Sequence, residues 1–288
     1  GALQYSGKHG GAAVNTYAVG IGTYAGQYQT GSYNVFVGDH TGKGAQTSAP
    51  YGSGGRLTAV GSYALGNTKS GDGNTAIGYS ALGNNHSGSD NCVIGDRALV
   101  GSRGSSYNIV MGSLAMYSAT TSARNVVLGH HALYTATTGG GNIVLGYETM
   151  RLSTTGANNI AIGGSSMHNS GAGSNNVAVG VDTARYATGS YNTFVGAQAG
   201  QGGTTSAPFS SGQYNVAVGS KALDSFTTAN LNVAIGYQAL DAETIGISTV
   251  AIGDNAGRSQ NFGSHGTTGN TLVGSGAGFH NVTGTGNT

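Results

Sequence analysis

Apolar and polar positions along this chain recur with a period of 17 residues, not with the period of 2 of a lone strand or the 3.6 of a helix. A block of the form Asn74-Thr75-Ala76-Ile77-Gly78 returns fifteen times. Its closing glycines stand at Gly22, Gly38, Gly61, Gly78, Gly95, Gly112, Gly129, Gly146, Gly163, Gly180, Gly196, Gly219, Gly236, Gly253 and Gly274. Most gaps are 17 residues; five depart, with 16 before Gly38 and Gly196, 23 before Gly61 and Gly219, and 21 before Gly274. A fixed period of this size means one structural unit stacked on itself. Each unit is too short for a helical hairpin and fits one turn of a β-solenoid. The chain is therefore expected to be all-β: a parallel β-solenoid of the β-roll or β-helix kind, with about 15 turns.

The columns of the repeat predict how a turn is built. One residue before the glycine the side chain is always aliphatic or Met, as at Ile77, Met111 and Leu145. Three before it stands Val, Ile, Thr or, once, Cys92. Two positions apart share one face of a short strand, so these two columns are expected to face inward. Three after the glycine only Ala, Ser or Thr occurs, and four after comes mostly Leu or Met, as at Leu82, Leu99 and Met116. There the chain is expected to turn a corner and point inward again.

The column between the two strand positions is apolar as well, with Phe36, Val93, Val110, Val127, Val144, Phe194 and Leu272 and otherwise Ala or Gly. Apolar runs on both faces belong to strands covered on both sides, while a solenoid wall has one inside. These seven residues are thus expected to form an outward interface stripe covered by another copy of the chain. The closing glycine would permit that copy's close approach.

Four residues before the glycine, twelve of the fifteen turns place Asn. Stacked at the ~4.8 Å spacing of paired strands, Asn74, Asn91, Asn108, Asn125, Asn142, Asn159 and Asn176 are expected to form a ladder of amide hydrogen bonds.

Composition changes the picture by exclusion. Gly is 55 of 288 residues without a collagen-like period, charged residues are 7%, and the formal net charge is +1, which offers no polyanion footprint for nucleic acid. The single cysteine excludes an intrachain disulfide. No apolar run approaches the length of a membrane span, and no signal peptide is visible. The chain lacks an initiating Met and stops at Asn287-Thr288, inside a repeat-like stretch, as a processed product or a piece of something longer would.

In chain order, residues 1–17 read as a lead-in or cap, followed by a continuous array over 18–288 with inserted loops near 43–56, 201–214 and 258–269. The first two inserts carry Thr47, Ser48, Ala49, Pro50 and Tyr51, and Thr205, Ser206, Ala207, Pro208 and Phe209. They hold the only two prolines, 158 residues apart. Gly31-Ser32-Tyr33-Asn34 matches Gly189-Ser190-Tyr191-Asn192 at the same offset, so the chain carries a second, longer repeat. The ten insert residues are candidate contact loops for a neighbour or a ligand.

No catalytic constellation fits the frame, and the chain does not read as an enzyme. The Gly-x-Gly-x-x-Ala run at Gly20 is one turn of the repeat and opens no helix. His131 and Glu148 share a column on adjacent turns, but a metal site needs further ligands. Asp39, Asp96 and Asp254 lie too many turns apart for paired carboxylate chemistry. Thr120-Thr121, Thr137-Thr138 and Thr154-Thr155 form an array too short for an ice-binding face. Tyr33, Tyr107, Tyr191 and Tyr214 before the strand, and Tyr79, Tyr147 and Tyr237 after it, are either sugar-stacking groups or wall residues packing on neighbouring turns. No cofactor is called for.

Asn74-Thr75-Ala76-Ile77-Gly78 and Asn232-Val233-Ala234-Ile235-Gly236, each followed by a small residue three positions on, resemble the repeat of the YadA-like head in trimeric autotransporter adhesins. Gly73 to Leu82 and Asn232 to Leu240 are also similar to the Asn-Thr-Ala-Ile-Gly-Tyr-x-Ala-Leu arrays of bacteriophage tail-fibre proteins. The resemblance covers nearly the whole chain. The head family implies a left-handed parallel β-roll, three chains side by side and an extracellular location, though its usual turn is shorter than 17 residues. The function this implies is a structural and adhesive part of an extracellular fibre, a phage tail fibre or bacterial surface adhesin. Its partners would be further copies of itself and a cell-surface glycan or protein receptor, with no nucleic acid and no membrane insertion. The alternative is a subunit of an extracellular filament joined end to end.

Overall fold

The computed structural model describes residues 18–44, 52–203, 209–262 and 266–288. It is an all-β parallel solenoid, and among the described residues there is no helix. The chain divides between residues 141 and 142 into two compact units. The first holds β1 (Val19–Ile21), β2 (Val35–Val37), β3 (Thr58–Val60), β4 (Thr75–Ile77), β5 (Cys92–Ile94), β6 (Ile109–Met111) and β7 (Val126–Leu128). The second holds β8 (Ile143–Leu145), β9 (Ile160–Ile162), β10 (Val177–Val179), β11 (Thr193–Val195), β12 (Val216–Val218), β13 (Val233–Ile235), β14 (Val250–Ile252) and β15 (Thr271–Val273).

Within each unit every strand pairs in parallel with the next, in the register of the repeat. Cys92 lies beside Ile109, Val93 beside Val110 and Ile94 beside Met111; in the second unit Val216, Ala217 and Val218 lie beside Val233, Ala234 and Ile235. The 23-residue spacings are absorbed without a slip, since Val35 still meets Thr58 and Thr193 still meets Val216.

The inside of the solenoid is the reverse of the expected one. The central residue of each strand faces the core: Phe36, Val93, Val110, Val127, Val144, Phe194 and Leu272 are all buried, the most exposed at 7%. The flanking columns face out, with Ile109 at 46% and Met111 at 43% exposure on either side of buried Val110. Cys92, expected inside, is a free thiol on this outer face, neither buried nor fully exposed. Strand periodicity places the flanking pair opposite the centre but does not choose the inner side. The choice follows from space. Ala at the third and Leu or Met at the fourth position after the glycine also point inward, as fully buried Ala98, Leu99, Ala115 and Met116 do. The cross-section is left with room for one strand side chain per turn.

Two consecutive inward residues require a sharp bend. The Leu or Met supplies it by adopting a left-handed conformation, with φ of 50° at Leu99 and 49° at Met116. That costs roughly 1–2 kcal/mol per residue, and the full burial of each such side chain, worth about 1.5–3 kcal/mol, offsets it.

The closing glycine is required by its own fold. At Gly95 φ is 144°, and a Cβ there would lie 2.5 Å from the carbonyl oxygen of Gly112 on the next turn. The close approach expected of a second chain is thus made between successive turns of the same chain.

Core volumes compensate along the array. Where the strand centre is Ala or Val, the fourth position after the glycine is usually Leu or Met. Where the centre is Phe36, Phe194 or Leu272, it is Gly42, Gly200 or Gly278. A Cβ on Gly200 would sit 2.7 Å from the Phe194 ring, and one on Gly42 would sit 2.1 Å from Phe36. Phe194→Ala is therefore expected to lower unfolding stability by about 3–5 kcal/mol. Adding Gly200→Leu should recover most of that loss, because leucine already occupies the same conformation at Leu223, with φ of 53°. Urea unfolding measures both; a double variant no more stable than Phe194→Ala would contradict the pairing.

Candidate interaction face and the column behind it

Each unit presents one outer sheet face, and a buried amide column holds that face in register. The outer columns carry only Val, Ile, Leu, Met, Thr, Cys92 and no charge. In the first unit Val35, Val60, Ile77, Ile109 and Met111 are exposed large hydrophobics; in the second Ile143, Val218, Ile235, Ile252 and Val273 are. Exposed aromatic residues bound the strands in sequence on either side, Tyr33, Tyr107, Tyr191 and Tyr214 before them and Tyr79, Tyr147 and Tyr237 after.

The asparagine column stands on the inner face, two residues before the buried strand centre. In the first unit Nδ2 of Asn91, Asn108 and Asn125 donates to Oδ1 of the preceding asparagine at 2.9, 2.9 and 3.0 Å. The backbone N–H of the same residues donates to the same oxygen, at 3.0 Å in each case. The second proton of each amide reaches a carbonyl on the next turn, as Asn74 reaches Gly88 at 2.8 Å and Asn91 reaches Ser105 at 2.8 Å. In the second unit Asn159 and Asn176 continue the pattern, each 3.2 Å from Oδ1 of Asn142 and Asn159 respectively. Two donors and two acceptor sites are used at each such rung, so a buried amide leaves nothing unpaired.

Beyond the first turn, where Ala18 stands, two rungs lack asparagine, and each is accommodated differently. Leu57 keeps only the backbone half of the rung, its N–H donating to Asn34 Oδ1 at 2.8 Å. At Thr249 the missing amide comes from elsewhere: Gln260 Nε2 donates to Thr249 Oγ1 at 2.9 Å, and Gln260 Oε1 accepts from Asn270 Nδ2 at 2.9 Å. Gln260 also donates to Glu243 at 3.0 Å, and the Glu243 carboxylate takes the Gly246 N–H at 2.7 Å. Both side chains are fully buried. Sequence reasoning missed this network; its signal was two long polar residues, Glu243 and Gln260, on successive turns of a column that is mostly small, next to the one rung with Thr for Asn.

Thr47, Ser48, Ala49, Pro50 and Tyr51, and Thr205, Ser206, Ala207 and Pro208, lie outside the described residues. Phe209 is described and stacks on Tyr186 with ring centroids 6.2 Å apart. Tyr191 and Tyr214 stack on each other at 5.1 Å, as wall residues do. The Thr120 hydroxyl is turned to the Thr137 carbonyl at 3.0 Å. His131 belongs to the first unit and stacks near His130, centroids 3.9 Å apart. Glu148 belongs to the second and lies 3.6 Å from His168 and 3.8 Å from Arg151. Among the described residues no three His, Cys, Asp or Glu side chains converge as metal ligands. Comparison of the chain with protein-family models, curated proteins and solved structures finds no match.

Asp224 and Asp241 occupy one column on adjacent turns. Partial burial, then the Asp241 charge, push the Asp224 carboxyl up from 3.8 to about 6, against an opposing pull from Lys221. Burial also raises Asp241, while Arg258 and Lys221 oppose the rise. A carboxyl whose pKa is higher folded than unfolded binds its proton more tightly in the folded state. Its contribution is most favourable below the unfolded value and is lost as pH rises from about 4 to 6. Asp224→Asn should therefore raise the melting temperature at pH 7 and change it little at pH 3.5. An equal shift at both pH values would contradict that origin.

Proposed function

We propose that this chain is a structural and adhesive component of an extracellular fibre, a phage tail fibre or bacterial surface adhesin. Copies of the chain would associate side by side through their outer sheet faces, three chains being the favoured number. The observation that carries the reading is the uncharged aliphatic face itself. A solvated sheet face normally alternates to polar side chains, and a contiguous exposed apolar surface marks an interaction site. An apolar centre bounded by exposed Tyr has the anatomy of a protein interface. The repeat's resemblance to adhesin heads and tail-fibre arrays points the same way.

The mechanism asks no chemistry of the chain. Stacked turns give rigid reach, and side-by-side copies present the same surface several times, so weak contacts add through effective concentration. The uncharged outer columns keep the mutual approach of copies free of buried unpaired charge.

The test uses the inversion of the strand faces. Ile109→Asp combined with Met111→Asp places two carboxylates per chain on the outer face, while Val110→Asp places one in the core. The outer double variant is expected to keep its β circular dichroism and to sediment as a single chain, whereas Val110→Asp should lose the fold. An outer variant that keeps the assembled mass of the unaltered protein would remove this face as the interface.

A further inference from the structure

The first unit carries a second feature that the outer face does not use. Eight residues after the closing glycine, three successive turns place Lys69, His86 and Arg103 in one column. The hydrogen bonds of the wall stack them directly. The N–H of Lys69 donates to the His86 carbonyl at 3.1 Å, and the N–H of Ser87 donates to the Arg103 carbonyl at 3.0 Å. Lys69 and Arg103 are exposed. Partial burial, and then the charges of Lys69 and Arg103, hold the imidazole between them below its ordinary 6.5.

Among the described residues no carboxylate is paired with Lys69 or Arg103. Three basic groups on adjacent rungs repel one another, and unlike Arg185, held by Asp182 at 2.7 Å, and Arg258, held by Asp241 at 3.7 Å, Lys69 and Arg103 have only each other and His86 along their column. Beside the ladder stand exposed amides, Asn67 and Asn84, joined at 2.8 Å, and the exposed Ser87. Amides and hydroxyls of this kind match sugar hydroxyls.

We propose that the Lys69, His86 and Arg103 ladder binds an anionic polysaccharide, its acidic groups lying across successive turns. A linear uronate polymer carries one carboxylate per sugar and so can meet a column of cations rung by rung. Nucleic acid fits less well, because the column holds a single ring, His86, and no Phe, Tyr or Trp interleaves with its cations to stack successive bases. The ladder gives a chemical class to the receptor side of the adhesive reading and rests on it to that extent. It does not depend on assembly: a single chain that binds would sink the side-by-side reading and leave this one standing.

The experiment measures binding of the full chain to polygalacturonate, with dextran as the neutral polymer and single-stranded DNA as the second polyanion, over a salt series. Polygalacturonate is expected to bind, dextran not, with affinity rising from pH 7 to pH 5 as the bound anion favours the protonated imidazole of His86. Lys69→Gln with Arg103→Gln should weaken binding about tenfold or more and reduce the salt dependence by about two counter-ions. Lys221→Gln, on the other unit, should leave binding unchanged. Both ladder substitutions are on exposed side chains; unchanged β circular dichroism verifies the fold of the double variant, and a proton titration of His86 by NMR should then move upward in it as the two neighbouring cations are lost. Equal binding by the unaltered protein and the double variant, or no binding to polygalacturonate at low salt and pH 5, would overturn the proposal. DNA binding as tight as polygalacturonate would overturn the assignment to a glycan.

Discussion

The buried asparagine column is the constraint on which the rest of the structure depends. Each rung from Asn74 to Asn125 ties a side chain to the side chain and backbone of the turn before and to a carbonyl of the turn after. A slip of one residue would leave several buried amide groups without partners, at about 1–3 kcal/mol each. The 17-residue period is therefore enforced from inside. Once turns stack in that register, the closing glycines must lie over one another, where no Cβ fits, and the strand centres and corner residues must share one narrow interior. The pairing of Phe194 with Gly200 and of Ala with Leu elsewhere follows from that shared volume.

The period, the parallel order and the position of each strand were legible in the sequence. The block at residues 74–78 places a strand at Thr75, Ala76 and Ile77, and β4 spans those residues. The choice of inner face was not read correctly, because alternation is symmetric and the two bulkier columns drew the assignment. Ile109 and Met111 outweigh Val110, yet Val110 is the core residue. The information that decides the matter was present in the asparagines. Asn108 stands two residues before Val110, on the same face, and an amide ladder persists only where water cannot compete for its hydrogen bonds. Had the amide column set the parity, the seven strand-centre residues would have been placed inside from the start. The patch around Thr249 was less accessible, since it joins Glu243, Gln260 and Asn270 from different columns and turns.

The inversion changes which residues bear the functional reading without removing the reason for it. An apolar surface without a partner in the chain was expected, and one is found; it is built from the strand flanks, with Cys92 among them. On the function proposed, the aliphatic face would meet further copies of the chain, and the basic ladder at Lys69, His86 and Arg103 would meet the receptor. Rigidity links them, because a column of side chains keeps its spacing only as long as the amide ladder keeps the turns in register.

Native mass measured over a dilution series shows whether the aliphatic face is covered by copies of the chain. The account predicts a fixed small multiple of the 28.4 kDa chain, three copies, that holds over the series until dissociation. A mass of one chain at every concentration, with the β-solenoid intact, would contradict it.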